Sequence, residues 1–195
     1  QFAALTVLGL VAWNLQRWLV AFLEAPSRFT GSYATRSFEG NDFPTTSWVA
    51  DAPDPVEVAS WDLGVDGAVE SELALSEEAL DPTHERSAVL DCTSGWYSKQ
   101  RWQGIRVGSL LDAAGPTDRA SWVSFHSVTG YRWALPIEEA REALLATHVT
   151  GERLSHGHGY PLRLVAPGRR GFQWVKWVER VEVRTSPDWG QWGAI

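Results

Sequence analysis

A chain of 195 residues is long enough for one well-filled core with a short appendage. Its 44% apolar content and twelve tryptophans exclude an intrinsically disordered chain. A net charge of −7 argues against a nucleic-acid backbone as the main partner, since phosphate binding needs a basic surface. The single cysteine, Cys92, excludes an intramolecular disulfide. The sequence has no methionine and opens at Gln1, which reads as a processed chain or a piece of a longer one.

Residues 1–24 are mostly apolar, with Asn14, Gln16 and Arg17 interrupting. The apolar run 2–13 is too short to span a bilayer alone. Trp13 and Trp18 beside Arg17 have the character of an interfacial belt. The segment therefore reads as the end of a membrane helix, with an amphipathic helix packed on the domain or lying in the interface as the alternative. Residues 25–55 are rich in Pro, Gly, Ser and Thr and read as a linker or extended arm.

Residues 56–65 alternate as a strand into an Asp66-Gly67 turn, and 69–75 alternate again, which predicts a hairpin. Ser76 is an N-cap for a short helix over 76–80. The apolar run 87–90 leads into Asp91, Cys92 and a Thr93-Ser94-Gly95 turn. This pattern is a buried strand delivering a thiol at its C-terminal end. Taken alone, a lone cysteine is most often a small buried hydrophobe.

Trp96, Tyr97, Lys99, Arg101, Trp102 and Arg106 make 96–106 read as an aromatic and basic loop. It is either solvated with packed rings or the rim of a pocket for an anion. Residues 107–114 predict a short helix closed by Gly115. Residues 121–127 and 131–135 predict a hairpin over 128–130. Pro136 opens a helix through Leu145, with Ile137, Arg141, Leu144 and Leu145 at helical spacing. Strands follow over 160–165 and 178–184, and 187–195 is a tail. Strands with scattered short helices predict an α+β fold with mixed sheets, as one domain over 56–186.

A second stretch gives Cys92 a context. It contains His156 and His158, then Gly159, Pro161 and Arg163 in one strand-like run, Pro167-Gly168, and Lys176-Trp177. Together with the Cys92 strand, this order and spacing resemble the sulfite oxidase family of molybdopterin enzymes over about residues 31–184. Within that family the chain is most similar to the monomeric bacterial sulfoxide-reductase branch. The resemblance implies a sulfite-oxidase-type molybdopterin-binding fold, a molybdenum-molybdopterin cofactor, and a bond from the Cys92 thiolate to molybdenum. It places Asn41, Ser127, His158, Arg163, Trp174, Val175 and Lys176 on or near pterin-binding positions. A one-residue shift in the hairpin would replace Ser127 by His126. The arm around Asn41 would wrap back onto the pterin. Most sulfite oxidases carry a further C-terminal immunoglobulin-like dimerisation domain; the similarity to the monomeric branch implies a chain without one, and a monomer.

The residue types suit that chemistry. A soft metal wants a thiolate, and nearby cations keep the sulfur deprotonated, a role open to Lys99, Arg101 or Arg106. A pterin phosphate wants a forked guanidinium such as Arg163, a point charge such as Lys176, and a Gly-rich backbone such as 168–171. Two positions depart from the sulfite oxidases. Gly40 stands where they have an arginine before the asparagine, and Thr147 stands where they have a substrate-side tyrosine. Pro44-Thr45 also replaces the Tyr-Glu of the sulfoxide-reductase branch.

The expected function is oxygen-atom transfer on a small substrate: S- or N-oxide reduction, or oxidation of a sulfur compound other than sulfite. The expected partner is a membrane or haem-type electron carrier, with the domain on the extracytoplasmic side of the cell membrane. Two rivals remain at this level. One is a zinc site built from His148, His156 and His158. The other is a membrane-tethered cofactor-binding or electron-transfer module without turnover of its own.

Overall fold

The computed structural model describes residues 14–15, 27–36, 39–47, 51–80 and 82–189. Two mixed sheets hold nearly all of the regular structure, with few and short helices, as an α+β chain requires. The expected membrane helix over 1–24 lies outside the described residues except for Asn14 and Leu15. Among the described residues, no helix is long and apolar enough to cross a membrane.

The first sheet has six strands: β1 (Tyr33–Ala34), β4 (His84–Asp91), β5 (Trp96–Arg106), β8 (Leu144–Val149), β9 (Glu152–Arg153) and β10 (Arg163–Val165). β5 is its spine. It pairs antiparallel with β4 along its length, parallel with β1 at Trp96 and Tyr97, and antiparallel with β8 from Trp102 onward. The second sheet runs in the order β3 (Leu73–Ser76), β2 (Asp62–Gly67), β11 (Val178–Arg184), β6 (Trp122–Ser127), β7 (Arg132–Pro136). The expected hairpins β2–β3 and β6–β7 both form, and β11 joins them by pairing parallel with β2 and antiparallel with β6.

The stretch 96–106, expected as a loop, is instead the longest strand among the described residues. Its side chains alternate through Ile105: Trp96, Ser98, Gln100, Trp102 and Gly104 are buried, while Lys99 and Arg101 are exposed; Arg106 is exposed at the strand's end. The alternation was masked because two inward positions are polar. Buried Ser98 donates to the carbonyl of Arg36. Gln100 donates to the Ser98 hydroxyl at 2.8 Å and accepts from Thr150 at 3.2 Å. A polar side chain is tolerated inside when it is hydrogen-bonded.

Other boundaries also move. Residues 58–60 form a 3₁₀ turn, so the first hairpin strand begins only at Asp62; Asp66 and Gly67, expected as its turn, stay in the strand by pairing with β11, and the second strand starts at Leu73. The short helix expected after Ser76 is a 3₁₀ turn, Glu77–Ala79. The helix opened by Pro136 is α2 (Ile137–Glu142) and stops there, so Leu144 and Leu145 lie in β8. Their apolar periodicity serves a strand buried on both faces. The strand expected over 160–165 reduces to β10, since Pro161 has no N–H to donate to the ladder. Helix α1 (Val107–Ala114) forms as expected. It buries Val107, Leu110, Leu111 and Ala114 at helical spacing and is closed by Gly115. One apolar core runs through both sheets, with Trp102, Trp174, Phe125, Leu63 and Leu164 among its most buried side chains.

Candidate functional site

β4 ends at Asp91, and Cys92 follows in the turn to β5. The Cys92 N–H donates to the Trp96 carbonyl at 2.8 Å, and the Gly95 N–H returns to the Cys92 carbonyl at 3.2 Å. The turn is backed by Gly171. A Cβ there would stand 3.1 Å from both the Asp91 carbonyl oxygen and the Cys92 Cα, so the close approach of the two segments needs glycine. The Arg170 guanidinium donates to the Cys92 carbonyl at 3.3 Å.

Asp91 ties this turn to the N-terminal arm. Its carboxylate accepts from Arg28 at 2.9 Å, Thr30 at 2.9 Å and Ser32 at 2.7 Å, and Arg170 lies 3.6 Å away. Burial pushes its pKa up, but the Ser32 and Thr30 hydrogen bonds and the Arg170 charge outweigh that and hold it below the usual value.

Cys92 lines a cavity of about 270 Å³. Across it stand His158, Arg163, Trp174, Val175 and Lys176, which the 156–177 segment delivers from β10 and the turns on either side. Six of the eight expected site residues therefore meet in one cavity. Asn41 and Ser127 lie outside its lining. Asn41 fastens the arm to the β9 loop: its amide donates to the Arg153 carbonyl at 2.9 Å and its Oδ1 accepts from the Ser155 N–H at 2.8 Å. Ser127 is buried in the β6–β7 turn, where its hydroxyl accepts from the Thr129 hydroxyl at 3.0 Å. The alternative, His126, pairs with Glu182 at 3.0 Å.

His158 sits between Ser155 and Phe43. Its Nε2–H donates to the Phe43 carbonyl at 2.9 Å, and its Nδ1 lies 2.8 Å from the Ser155 hydroxyl. Burial, with smaller contributions from Arg163 and Lys176, drops its pKa to about 4, so the ring is neutral at pH 7. Arg163 is buried over the Trp102 ring, 5.5 Å from its centroid, and donates from Nη1 to the His158 carbonyl at 2.9 Å. Its Nε is buried and has no partner among the described residues. Burial lowers its pKa to about 10, while the charge of Cys92 opposes the drop.

Lys176 uses its three hydrogens on the Thr46 carbonyl at 3.3 Å, the Ser47 hydroxyl at 2.5 Å and the Gly157 carbonyl at 3.2 Å. It offers the cavity its charge rather than a hydrogen bond. Burial first, then Arg163, lowers its pKa to about 8, against the pull of Asp51 and Cys92.

The cations beside the thiol are thus Arg163 and Lys176. Of the candidates from the supposed loop, Lys99 and Arg101 lie on the outward face of β5 and Arg106 is exposed at its end. Arg101 and Arg106 face Glu85 and Glu142 there. The two departures from the sulfite oxidases also acquire a setting. Gly40 lies under Glu152, whose carboxylate would be 2.4 Å from a Cβ at that position. Thr147 is buried in β8 against His148, 2.8 Å from its Nδ1. Among the described residues, no three His, Cys, Asp or Glu side chains are grouped to hold a metal, which removes the zinc rival.

Sequence reasoning missed the arm segment Pro44, Thr45, Thr46, Ser47 and Asp51, and also Tyr131 and Phe172, as cavity wall. The Tyr131 hydroxyl donates to the Phe172 carbonyl at 2.5 Å, and burial, aided by the charge of Asp51, raises its pKa to about 12. The hairpin turn marked the position of Tyr131, but nothing local marked its direction.

Comparison with known proteins agrees with this geometry. A model of the oxidoreductase molybdopterin binding domain matches residues 50–192. Oxidoreductase YuiH of Bacillus subtilis is 31% identical over 147 residues, covering 73% of this chain and 74% of the relative. The protein-methionine-sulfoxide reductase catalytic subunit MsrP of Xanthomonas campestris is 32% identical over 66% of this chain and 46% of its own length. Mouse mitochondrial sulfite oxidase is 29% identical over 67% of this chain, which spans 30% of that protein. Among solved structures, the sulfane dehydrogenase SoxCD of Paracoccus pantotrophus superposes with a TM-score of 0.65 at 26% identity, over 70% of this chain and 41% of that one. The chain belongs to the molybdopterin-binding oxidoreductase family that includes the sulfite oxidases.

Proposed function

We propose that this chain binds a molybdenum-molybdopterin cofactor in the Cys92 cavity and transfers an oxygen atom to or from a small substrate. The substrate class is an S- or N-oxide, or a reduced sulfur compound other than sulfite. The observation that carries this reading is the donor set of the cavity: a thiol on one wall, with a buried arginine and a buried lysine facing the same space. The Arg163 Nε has no partner among the described residues, and a buried donor left open is costly, so an anionic acceptor belongs beside it. A molybdopterin with its phosphate supplies that anion, and its metal supplies a site for a thiolate.

In this reading Cys92 is the metal ligand, and Arg163 grips the phosphate. Lys176 adds charge and holds the arm in place. Neutral His158 keeps Phe43 and the arm closed over the cavity, and Trp174 and Val175 form its apolar wall. When bound, the cofactor supplies the two-electron chemistry of oxygen-atom exchange. The chain's own groups exclude water and fix the cofactor.

Asn41 acts at one remove, by fastening the arm to residues 153–155. Ser127 shapes the turn that presents Tyr131, whose carbonyl accepts from the Ser127 N–H at 2.8 Å. The exchange moves two electrons, so the domain works with a haem-type or membrane electron carrier as partner, acting as a monomer on the extracytoplasmic side of the cell membrane.

The test is metal analysis of the purified protein with pterin fluorescence after denaturation, followed by turnover. A reduced viologen should drive S- or N-oxide reduction. Absence of both metal and pterin, or sulfite oxidation at about 10⁴ M⁻¹s⁻¹ or above, overturns the reading.

A further inference from the structure

Asp51 belongs to the wall of the same cavity, and no role above uses it. It comes from the arm. Its Oδ1 is buried and, among the described residues, meets no hydrogen-bond donor. The neighbours that could serve it are already committed. The three hydrogens of Lys176 go to Thr46, Ser47 and Gly157. The hydroxyl hydrogen of Tyr131 goes to Phe172. Asp51 acts electrostatically on both Tyr131 and Lys176, so all three border one region of the cavity.

Among the described residues of the wall, the full charges are two cations and this one carboxylate. Once the cations face the cofactor's phosphate and the thiolate, the carboxylate is the charge left over. The positions where a sulfite oxidase carries its arginine and tyrosine hold Gly40 and Thr147 and add nothing to balance it. A buried carboxylate oxygen without a donor costs free energy, and an entering N–H removes that cost.

We propose that Asp51 sets the charge preference for substrate: its carboxylate accepts a hydrogen bond from an ammonium or amide N–H of the substrate and repels anions. This rests on the function proposed above and narrows it to oxides that carry a nitrogen donor near the reacting atom.

Three sulfoxides of one thioether test it: methionine sulfoxide methyl ester, a cation; N-acetylmethionine sulfoxide amide, neutral; and N-acetylmethionine sulfoxide, an anion. Binding to the loaded full chain is read from the perturbation of its visible absorption, and turnover from oxidation of a reduced viologen. The ester should bind about tenfold or more tighter than the anion, the scale of one hydrogen bond to a charged group. Asp51→Asn should bring the two within about threefold, with molybdenum and pterin content unchanged, and Asp51→Glu should keep the preference.

A ratio that Asp51→Asn leaves in place, or loss of pterin from that variant, overturns the proposal. In the second case the carboxylate serves the cofactor. Wild-type protein without molybdenum brings down the parent reading as well, whereas loaded protein that does not discriminate by charge sinks this proposal alone.

Discussion

His158 and Phe43 are 115 residues apart in sequence, yet the His158 Nε2 lies 2.9 Å from the Phe43 carbonyl oxygen and the two rings pack at 4.0 Å between centroids, tilted by 47°. This contact closes the N-terminal arm over the cavity and requires a proton on Nε2, while burial keeps the ring neutral at pH 7.

The pH dependence of stability follows. The folded pKa of His158 is about 4, below the ordinary 6.5, so the folded state binds fewer protons than the unfolded state in that window. Above pH 6.5 the group has no effect. As pH falls below 6.5 it increasingly favours unfolding, by about 2 kcal/mol at pH 5, with the full penalty reached below pH 4. Urea unfolding at pH 7 and pH 5 should show this loss, and His158→Gln should shrink the difference between the two. An equal pH difference in the variant would assign the loss to other groups.

Cys92→Ser should fold as the parent does, changing stability by under about 1 kcal/mol, since the two side chains are nearly isosteric. It should lose turnover, because an alcohol is a poor replacement for a thiolate on a soft metal. Full turnover in the serine variant would show that the thiol is only a packed side chain.

Arg163→Ala should purify depleted of pterin. Removing one partner of a buried charged contact costs about 2–5 kcal/mol. Arg163→Lys should be intermediate, since an ammonium keeps the charge but cannot reproduce the fork. Pterin released per mole of protein measures both, and full occupancy in the alanine variant would mean that Arg163 serves only the His158 carbonyl and the Trp102 ring.

Asp91→Ala should destabilise the protein by about 2 kcal/mol, because it leaves Arg28, Ser32 and Arg170 without their shared acceptor. The two arginines keep some solvent access, which limits the cost. Since the folded pKa of Asp91 is lowered, its contribution is present above the unfolded value and lost as pH falls through the folded one. Chemical denaturation of the variant at neutral pH checks the magnitude, and a change below about 0.5 kcal/mol would show the cluster to be solvent-compensated.

A chain beginning at Ser27 keeps the Arg28–Asp91 contact and should stay soluble and load cofactor without detergent. If residues 1–24 fix the protein to a membrane, the full chain should require detergent. Equal solubility of the two would make that segment an ordinary packed helix.

The order of chemistry-bearing residues was legible in the linear chain. An apolar run ending in Cys92, and a Gly-Pro-Arg run followed by a Gly-rich turn and Lys176, identify the family because spacing and type survive without coordinates. Local periodicity also exposed both hairpins, α1 and β11, where alternation or helical spacing is uninterrupted. It failed at 96–106, because Ser98 and Gln100 point inward, where Arg36 and Thr150, residues remote in sequence, help to satisfy them. It failed at 144–145, because a strand buried on both faces has no polar phase to set its period. Which cations face Cys92 was likewise a tertiary matter. β-strand alternation turns Lys99 and Arg101 outward and Arg106 is exposed at the strand's end, while Arg163 and Lys176 arrive from a segment more than seventy residues later. The arm residues Thr46, Ser47 and Asp51 carry no motif at all. They enter the wall where His158 and Lys176 hydrogen-bond to the backbone carbonyls of Phe43 and Thr46, contacts that leave little trace in the arm's sequence, and where the Ser47 and Thr46 hydroxyls meet Lys176 and Trp96.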